Sequence, residues 1–365
     1  MTWEYFKSYN YISKTMEVLR PSLLKIGNRI YRKYPTSQTE SKQAKDELFE
    51  DYAEYAKDES CDNVEVVATE KGFEGKMSIA SEYFKYIIGK KGETKKRIEN
   101  ETRTQIRIPT RGQDGDIVIL GRDKKGVVSA YTRLELLVIS ARQKQPFTHF
   151  LSIPITAKSI HNQVLEFKED VLRECDGDLG LDASIFQNYQ KLHLTIGTLV
   201  LLSESEVEKA TELLNKCNEN LIRPLLKDEP LHCQLVGLEY MNDDPGAVDV
   251  LYIKVIQPEN SERLEVLCNQ LVEKFTVAGL MQKDYDRVKL HATIMNTLFR
   301  SDPSGVARVQ SNRGAPRKSF DAKQILKKFG NFDFGSYYIG EIHLSKRYSS
   351  GKDGYYIPAA VIKLP

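Results

Sequence analysis

A six-residue pattern with a histidine and a threonine two positions apart occurs twice in the sequence. Residues 191–196 read KLHLTI and residues 289–294 read KLHATI, so that five of the six positions are identical. Side chains of a β-strand alternate between its two faces, and the histidine and the threonine of each copy would therefore point the same way. Each copy is expected to present one imidazole and one hydroxyl to a common surface.

Two such surfaces that meet about a pseudo-twofold axis suit the cleavage of a phosphodiester. One imidazole, of His193 or His291, would accept the proton of an attacking hydroxyl or water, and the other would protonate the leaving oxygen. Histidine is suited to both tasks because its unperturbed pKa is about 6.5. Thr195 and Thr293 would donate hydrogen bonds to the non-bridging oxygens, where negative charge builds up in the transition state. We therefore predict these four residues to be catalytic, without a metal ion or a cofactor.

A single histidine of this kind would be weak evidence. With six histidines in the chain, about one His-x-Ser or His-x-Thr arises by chance. We interpret His343-Leu344-Ser345 as that chance occurrence, or as a strand histidine satisfied by hydrogen bonds. His149, His161 and His232 have no repeated context and are assigned structural roles. Repetition of a whole hexapeptide favours function, and the alternative is a duplicated ancestor whose site has since decayed.

The two copies lie in similar contexts. Each follows a β-like run and a helical segment and precedes another strand, an order that indicates two duplicated lobes. The segments are HFLSIPI at 149–155, a helix at 163–175 and a strand at 233–240 for the first copy, and VDVLYIKVI at 248–256, a helix at 261–278 and a strand at 338–344 for the second. Residues 146–365 are accordingly predicted to be one bilobal, pseudo-twofold domain with mostly antiparallel sheets.

A second candidate site is the turn Gly89-Lys90-Lys91-Gly92, which lies in a compact order of six elements. They are a strand at 76–80, helices at 81–87 and 93–102, strands at 104–109 and 116–120, and an amphipathic helix at 127–143. The glycines let the backbone approach phosphates closely, the N-terminus of the next helix favours an anion, and the lysines add positive charge. This β-α-α-β-β-α region, residues 64–145, is predicted to bind single-stranded nucleic acid.

The predicted contacts of this region extend beyond the turn. The turn GKKG between two helices resembles the GxxG signature of KH domains, and this resemblance implies that Ile88, Ile98, Ile106 and Ile108 form the core and one wall of a groove that holds about four nucleotides. The residues predicted to bind RNA are Ile88, Gly89, Lys90, Lys91, Gly92, Lys95, Lys96 and Arg97. For the two lysines of the helix, the alternative is a solvated helix face. A nucleotide-binding P-loop is excluded, because a phenylalanine occupies the position of its first glycine.

Charge is segregated along a chain whose net charge is only +2. Residues 36–63 hold nine acids and three bases, whereas residues 83–111 hold nine bases and three acids, and residues 300–328 eight bases and two acids. Residues 1–63 are predicted to be an arm, with a possible hairpin around Gly27-Asn28, and an acidic, disordered linker. The two basic stretches are candidates for contact with a polyanion.

The remaining composition bears on the partners and the cellular compartment of the protein. A basic loop over Arg300–Arg317 is interpreted either as a contact to the nucleic-acid backbone or as merely solvated. The five cysteines show no regular spacing and no CxxC pair, which argues against disulfides and a thiolate zinc site and favours a reducing compartment. No apolar run approaches the roughly 18 residues of a membrane span. We expect a protein that neither is secreted nor contacts a membrane.

The two motifs resemble two known families. Residues 147–365 resemble the two-histidine (2H) phosphoesterase superfamily, in particular the branch shared with the nucleotide-binding domain of an A-kinase anchoring protein. Residues 64–145, with GKKG between two helices, resemble a type I KH domain. The resemblance implies an α+β fold in which a KH domain precedes a bilobal phosphoesterase domain, with the histidines and threonines of both hexapeptides lining a cleft.

Nearly the whole chain, with its two domains in this order, resembles a further family. With the stretches QPFTHFL, SIFQNYQKLHLTIGTLVLLSE, EYMNDDPGAVDVLY and VKLHATIMNTLFR, the chain from about Met16 onward is similar to a family of transcription-cointegrator complex subunits. This resemblance implies a nuclear setting and association with a helicase-containing assembly that acts in transcription and alkylation-damage repair. Residues 1–15 lie outside the resemblance.

The leading hypothesis is a metal-independent phosphodiesterase that binds single-stranded RNA and acts on RNA ends, 2′,3′-cyclic phosphates or related diesters. One alternative is a non-catalytic scaffold whose cleft binds nucleotides while the acidic arm recruits a helicase, and another is a coactivator whose RNA binding is incidental. The sequence leaves open RNA against DNA and the identity of the acid and the base. Tyr189, Tyr285 and Phe299 are unranked candidates for stacking on a base.

Overall fold

The computed structural model describes residues 64–110, 115–257, 262–282, 285–301 and 317–365, together with the backbone of residues 22–26 and 29–33. The described residues fall into two compact units, which divide between Lys144 and Gln145. The predicted acidic linker and most of the predicted basic loop, residues 302–316, lie outside the described residues.

The hairpin predicted near the N-terminus is confirmed in its strands. β1 (Ser22–Ile26) and β2 (Arg29–Lys33) pair in antiparallel fashion, with Ile26 opposite Arg29. The turn residues Gly27-Asn28 lie outside the described residues.

The first unit is a four-stranded antiparallel sheet covered by three helices. Its elements are β3 (Val66–Thr69), β4 (Gly72–Met77), α1 (Phe84–Ile88), α2 (Glu93–Thr102), β5 (Thr104–Arg107), β6 (Ile117–Gly121) and α3 (Lys124–Gln143). The strand order is β3-β4-β6-β5. Asp123 caps α3, because its carboxylate accepts a hydrogen bond of 2.7 Å from the backbone N–H of Gly126. The predicted order of six elements is confirmed, with β3 as an additional strand.

One predicted strand of this unit was placed wrongly. The strand expected at 76–80 occupies Gly72–Met77 instead, and the chain then turns into a short helical turn at Ser81–Tyr83. The strand sequence GFEGKM has two glycines and no β-branched residue, so strand propensity gives no signal there. Gly72 has a φ of +137°, and a Cβ at this position would come within 2.3 Å of the carbonyl oxygen of Gly121. Close strand packing, rather than propensity, explains this segment.

The second unit is built on one eight-stranded antiparallel sheet. Its elements are β7 (His149–Pro154), α4 (Lys158–Glu174), β8 (His193–Leu199), α5 (Glu204–Cys217), α6 (Arg223–Leu226), β9 (Leu231–Tyr240), β10 (Val250–Ile256), α7 (Arg263–Val277), β11 (His291–Asn296), α8 (Lys323–Phe329), β12 (Asp333–Ile339), β13 (Glu341–Lys346) and β14 (Pro358–Lys363). The strand order is β12-β9-β10-β11-β8-β7-β13-β14. The two strands that carry the repeated hexapeptide, β8 and β11, are central neighbours.

The duplicated lobes exchange strands within this sheet. β9 follows the first hexapeptide in the chain but pairs with β10 in the half of the second, whereas β13 follows the second and pairs with β7 in the half of the first. The single strand predicted at 338–344 is wrong, since it is divided between β12 and β13 on opposite sides of the sheet. Gly340 separates the two strands, so the chain leaves one edge region at Ile339 and enters the other at Glu341.

One face of the sheet is packed against helices. Ile160, Val164, Phe167 and Val171 recur at the spacing of a helix face along α4 and are all buried. The strand residues on this side, which include Leu194 and the aligned Ala292, are fully buried as well. Full burial of a large apolar side chain stabilises a fold by about 1.5–3 kcal/mol. This core holds the sheet in place and leaves the opposite face to the polar side chains of the hexapeptides and the aromatic rings around them. Over the described residues, no helix combines the length and apolarity that crossing a membrane requires.

Candidate active site

The two copies of the hexapeptide lie side by side. β8 pairs with β11 in antiparallel fashion, with Leu194 opposite Ala292 on the core side. The histidine and the threonine that flank each of these residues therefore project from the opposite face. His193, Thr195, His291 and Thr293, predicted from distant parts of the sequence, share this face on neighbouring strands. The sheet itself, rather than a contact between separate sheets, brings them together.

Both imidazoles are held in the same way. Nδ1 of His193 lies 2.7 Å from the carbonyl oxygen of Lys191, and Nδ1 of His291 lies 2.7 Å from that of Lys289. A carbonyl oxygen can only accept, so each Nδ1 carries a proton and donates it. Nε2 is then the ring nitrogen of each histidine that can exchange a proton with a bound molecule. The Lys-Leu-His portion of the hexapeptide thus fixes the tautomer and the orientation of both rings.

The pKa of each histidine is lowered. The pKa of His193 is lowered to about 4, chiefly by burial and to a smaller extent by the charge of His291, while the hydrogen bond to the Lys191 carbonyl acts in the opposite direction. Burial also lowers the pKa of His291; its hydrogen bond to the Lys289 carbonyl and the carboxylate of Glu239 raise it, whereas the ammonium of Lys289 lowers it. A bound phosphate would raise the pKa of either histidine, because an anion favours the imidazolium.

The threonines are available to a bound molecule. Within the described residues, the hydroxyls of Thr195 and Thr293 make no hydrogen bond to the protein. Both side chains are partly exposed beside the histidines. Each hydroxyl can therefore donate to an oxygen of a ligand without breaking an internal hydrogen bond.

Aromatic side chains pack against both imidazoles. The ring of His193 has its centroid 5.1 Å from that of Phe150 and 5.7 Å from that of Tyr356. The ring of His291 lies 4.9 Å from that of Tyr252. The sequence carried a signal for Tyr252, since it lies in the β-like run before the second hexapeptide. In the sheet it lies opposite Thr293. It carried none for Tyr356, which follows β13.

A lysine accompanies each histidine, and sequence reasoning missed both. Lys191 Nζ lies 5.0 Å from the centroid of Tyr356, and Lys289 Nζ lies 5.1 Å from that of Tyr252. Each lysine therefore contacts the aromatic ring that its histidine contacts. The signal was present, because the lysine occurs two positions before the histidine in both hexapeptides. Both ammonium groups also have partners in the protein, since that of Lys191 donates to the carbonyl oxygen of Ser349 at 3.5 Å and that of Lys289 lies 3.3 Å from a carboxylate oxygen of Glu239.

The three aromatics predicted as stacking candidates lie elsewhere. Tyr189 packs edge-on against His161, with 5.1 Å between the centroids. Phe299 is buried in the interior, and Tyr285 is 81% exposed. Within the described residues, none of the three has a ring contact with either histidine of the hexapeptides.

The remaining histidines of this unit make protein contacts. Nε2 of His343 lies 2.8 Å from a carboxylate oxygen of Glu341, and Nε2 of His161 lies 2.7 Å from the carbonyl oxygen of Ile155. His149 is buried, and this burial together with the charge of Lys346 lowers its pKa to about 4. Over the described residues, no cluster of three or more histidine, cysteine, aspartate or glutamate side chains is arranged to bind a metal ion.

The turn Gly89-Lys90-Lys91-Gly92 depends on glycine at its first position. Gly89 has a φ of +70°, and a Cβ there would lie 2.1 Å from Oγ1 of Thr94. Lys91 also adopts a positive φ, of 53°. Gly92, with a φ of +81°, is the N-cap of α2 and has open space around it. The backbone of this turn therefore stays close to the helix, while the side chains of both lysines are exposed.

The other predicted RNA contacts have different surroundings. Lys96 is exposed, whereas Lys95 Nζ lies 3.6 Å from the carboxylate of Glu99. Ile88 is 39% exposed beside the turn, whereas Ile98 and Ile106 are fully buried. Among the described residues, those predicted for the groove and the RNA contacts therefore fall into two groups, a buried core and an exposed basic surface. Arg97 and Ile108 are partly buried.

The arginines at the ends of the predicted basic loop are bound within the protein. Arg300 donates to the carboxylate of Asp182 at 2.9 Å and to the carbonyl oxygens of Gly180 and Lys318. Arg317 donates to the hydroxyl of Thr297 at 2.6 Å. Their guanidinium groups join neighbouring segments, which favours a structural role for these two residues.

Comparisons with known proteins agree with this division of the chain. The family described as KH domain matches residues 74–135, and the family described as AKAP7 2'5' RNA ligase-like domain matches residues 147–364. Activating signal cointegrator 1 complex subunit 1 of Mus musculus is 45% identical over 348 residues, which cover 93% of this chain and 98% of the relative.

Solved structures also match the chain. Crystal structures of E. coli LigT complexed with NADP+ and with 3'-AMP are 17% and 15% identical, each with a TM-score of 0.35, and the match covers 60% of this chain and 99% of each LigT chain.

Proposed function

The chain belongs to the family of activating signal cointegrator 1 complex subunit 1, and from this premise we propose that it is an RNA-binding phosphodiesterase whose acid and base are His193 and His291. Its fold is of the predicted α+β class, a KH domain followed by a 2H phosphoesterase-like domain. The observation that carries the proposal is the matched pair of imidazoles on β8 and β11. Each has Nδ1 bound to the carbonyl oxygen of a lysine and Nε2 left for a substrate.

The proposed reaction uses the four residues predicted from the sequence. One imidazole takes the proton of a 2′-hydroxyl or of water as its oxygen attacks phosphorus, and the other protonates the leaving oxygen. Thr195 and Thr293 donate hydrogen bonds to the non-bridging oxygens, where charge increases in the transition state. Every step is assigned to side chains of this face, and no metal ion takes part in it.

The proposed substrate is single-stranded RNA or a diester derived from it. The KH domain supports this choice, because KH domains bind about four nucleotides of a single strand through a GxxG turn. The turn that starts at Gly89, with the exposed Lys90, Lys91 and Lys96, would hold the phosphates. Lys95 contributes less in this proposal, since its ammonium pairs with Glu99.

We further propose that the protein acts in the nucleus as a subunit of a cointegrator complex. The relative from Mus musculus, which is named as a subunit of such a complex, supports this assignment through its similarity over nearly the whole chain. A helicase-containing partner and a part in alkylation-damage repair are proposed on the resemblance of the sequence alone.

Cleavage of short single-stranded RNA in the presence and absence of EDTA tests the proposed activity. The wild type should cleave in both conditions, and His193→Ala and His291→Ala should each reduce the rate by about 10²–10⁴-fold, the usual contribution of an acid or a base. His232→Ala, which removes an exposed histidine of β9, is the matched control and should leave the rate unchanged. Intact RNA binding without cleavage by the wild type would favour the non-catalytic scaffold.

A further inference from the structure

The two lysines of the hexapeptides differ in burial. The side chain of Lys289 is 65% exposed and pairs with the carboxylate of Glu239. Lys191 is only 4% exposed, although lysine is rarely buried to this extent. Removal of an ammonium group from water is unfavourable. The fold therefore incurs a free-energy cost at Lys191 that it does not incur at the exposed Lys289.

The buried ammonium contacts the segment that connects β13 with β14. Nζ of Lys191 lies 5.0 Å from the ring centroid of Tyr356 and donates to the carbonyl oxygen of Ser349 at 3.5 Å. The preceding residue, Gln190, donates from Nε2 to the carbonyl oxygen of Asp353 at 3.2 Å. Two consecutive side chains thus hold this segment against the start of the first hexapeptide.

An aromatic wall of three side chains, Phe150, Tyr355 and Tyr356, packs against His193. The centroids of Phe150, Tyr355 and Tyr356 lie 5.1, 6.4 and 5.7 Å from that of the imidazole, and each of the three residues is at most 5% exposed. The hydroxyl of Tyr355 lies 3.0 Å from that of Ser152 on β7. The wall excludes water from this side of the imidazole, and burial is the main cause of the lowered pKa of His193, about 4.

We propose that Lys191 is a positioning residue, whose buried ammonium holds Tyr356 against His193 and thereby fixes the imidazole for proton transfer at Nε2. This assignment rests on the proposed function. The attraction of a cation to an aromatic ring is strongest where water is excluded. The main-chain carbonyl of the same lysine accepts the hydrogen bond from Nδ1 of His193 at 2.7 Å. One residue thus fixes the imidazole at Nδ1 and, through Tyr356, at the wall.

The ionisable groups around His193 are Tyr355 and Tyr356 from the segment after β13, Lys191 before β8, and His291 of β11, whose charge lowers the pKa of His193. β7 contributes Phe150, which does not titrate. Loss of the ammonium of Lys191 can raise the pKa of His193 by two routes. A like charge is removed directly, and water reaches the imidazole when Tyr356 moves. Only the second route depends on Tyr356.

A double-mutant cycle on the pKa of His193 separates the two routes. Proton NMR signals of the histidine rings in the full chain, assigned with His193→Ala, report this pKa. Lys191→Met and Tyr356→Leu should each raise it from about 4 toward the ordinary value of 6.5. The double variant should shift the pKa by less than the sum of the two single shifts, because both substitutions open the same wall. Shifts that add, or no shift in Lys191→Met, would overturn the proposal.

Cleavage of the dinucleotide UpU tests the orientation of Nε2. Lys191→Met should lower kcat by up to about 10²-fold, the loss that a misplacement of about 1 Å produces, with little change in KM. Lys191→Arg keeps a charge that also packs on aromatic rings and should restore most of the rate. The melting temperature of Lys191→Met should not fall, since an apolar side chain in place of a buried charge is often neutral or stabilising. A loss of rate that only follows a loss of stability, with the pKa of His193 unchanged, would overturn the assignment.

The matched control is Lys168→Met. Nζ of Lys168 also lies near an aromatic ring, 5.6 Å from the centroid of Phe186, but this lysine belongs to α4 on the opposite face of the sheet. The pKa of His193 and the kcat of this variant should equal those of the wild type, and a shift as large as that of Lys191→Met would overturn the proposal. The NMR titration needs no turnover. Failure of the wild type to cleave UpU would therefore contradict the proposed activity, while the titration still decides whether Lys191 positions His193.

Discussion

The turn at Gly89 and the two-histidine face differ in how they are built. The turn is formed by four consecutive residues, and its shape depends on backbone conformations that glycine permits. The histidine face combines two strands whose hexapeptides lie 98 residues apart in the chain, and its aromatic neighbours come from further segments. A local site is specified by a short motif. A site built across a sheet is specified only when the strand order is known.

This difference explains what the sequence predicted. The hexapeptides predicted the four polar residues because the alternation of side chains along a strand is a local property. The KH turn was predicted because four consecutive residues form it, so its signal is local as well. Neither Tyr355 nor Tyr356 was predicted, since the exchange of β9 and β13 between the halves of the sheet decides which segments reach His193. Periodicity and turn signals do not report such an exchange.

One incorrectly predicted strand has the same cause. The strand expected at 338–344 combined residues of β12 and β13 because no turn signal other than Gly340 divides them. β12 and β13 pair with different partners, β9 and β7. Tertiary packing decides which partner a strand pairs with. A prediction from the local pattern can therefore merge two strands that lie on opposite sides of the sheet into one.

Replacement of the threonine hydroxyls should give the largest change after loss of a histidine. Thr195→Val and Thr293→Val keep the side-chain shape and remove the proposed donor, and each should lower kcat/KM by about 10–10³-fold through loss of transition-state stabilisation. Thr198→Val, at an exposed position of the same strand, is the control and should have no such effect. Equal loss in all three variants would indicate a change in strand packing instead.

Substitution at the turn should affect folding and RNA affinity together. Gly89→Ala places a Cβ 2.1 Å from Thr94 Oγ1 at a positive φ, and we expect a destabilisation of about 1–3 kcal/mol. Gly92→Ala meets no neighbour within 4 Å and should cost only the backbone strain of about 1–2 kcal/mol. Thermal unfolding and RNA titration of the two variants measure the difference. Equal stability of the two would show that the contact with Thr94 relaxes freely.

Removal of charge at the turn should produce the mildest change. Lys90→Gln with Lys91→Gln should weaken binding of single-stranded RNA and reduce the slope of log affinity against log salt concentration by about 0.7 for each lost phosphate contact. Cleavage of UpU, which is too short to fill a groove of about four nucleotides, should be unaffected. A salt slope identical to that of the wild type would place the RNA phosphates elsewhere.

The most direct test of the central claim is a double-mutant cycle on RNA cleavage with His193→Ala, His291→Ala and the double variant. If the two imidazoles act on one phosphodiester, the double variant should lose about as much activity as either single variant, because groups that act as a unit are strongly non-additive. Losses that multiply in the double variant would show that the two histidines act independently. That result would contradict the paired mechanism.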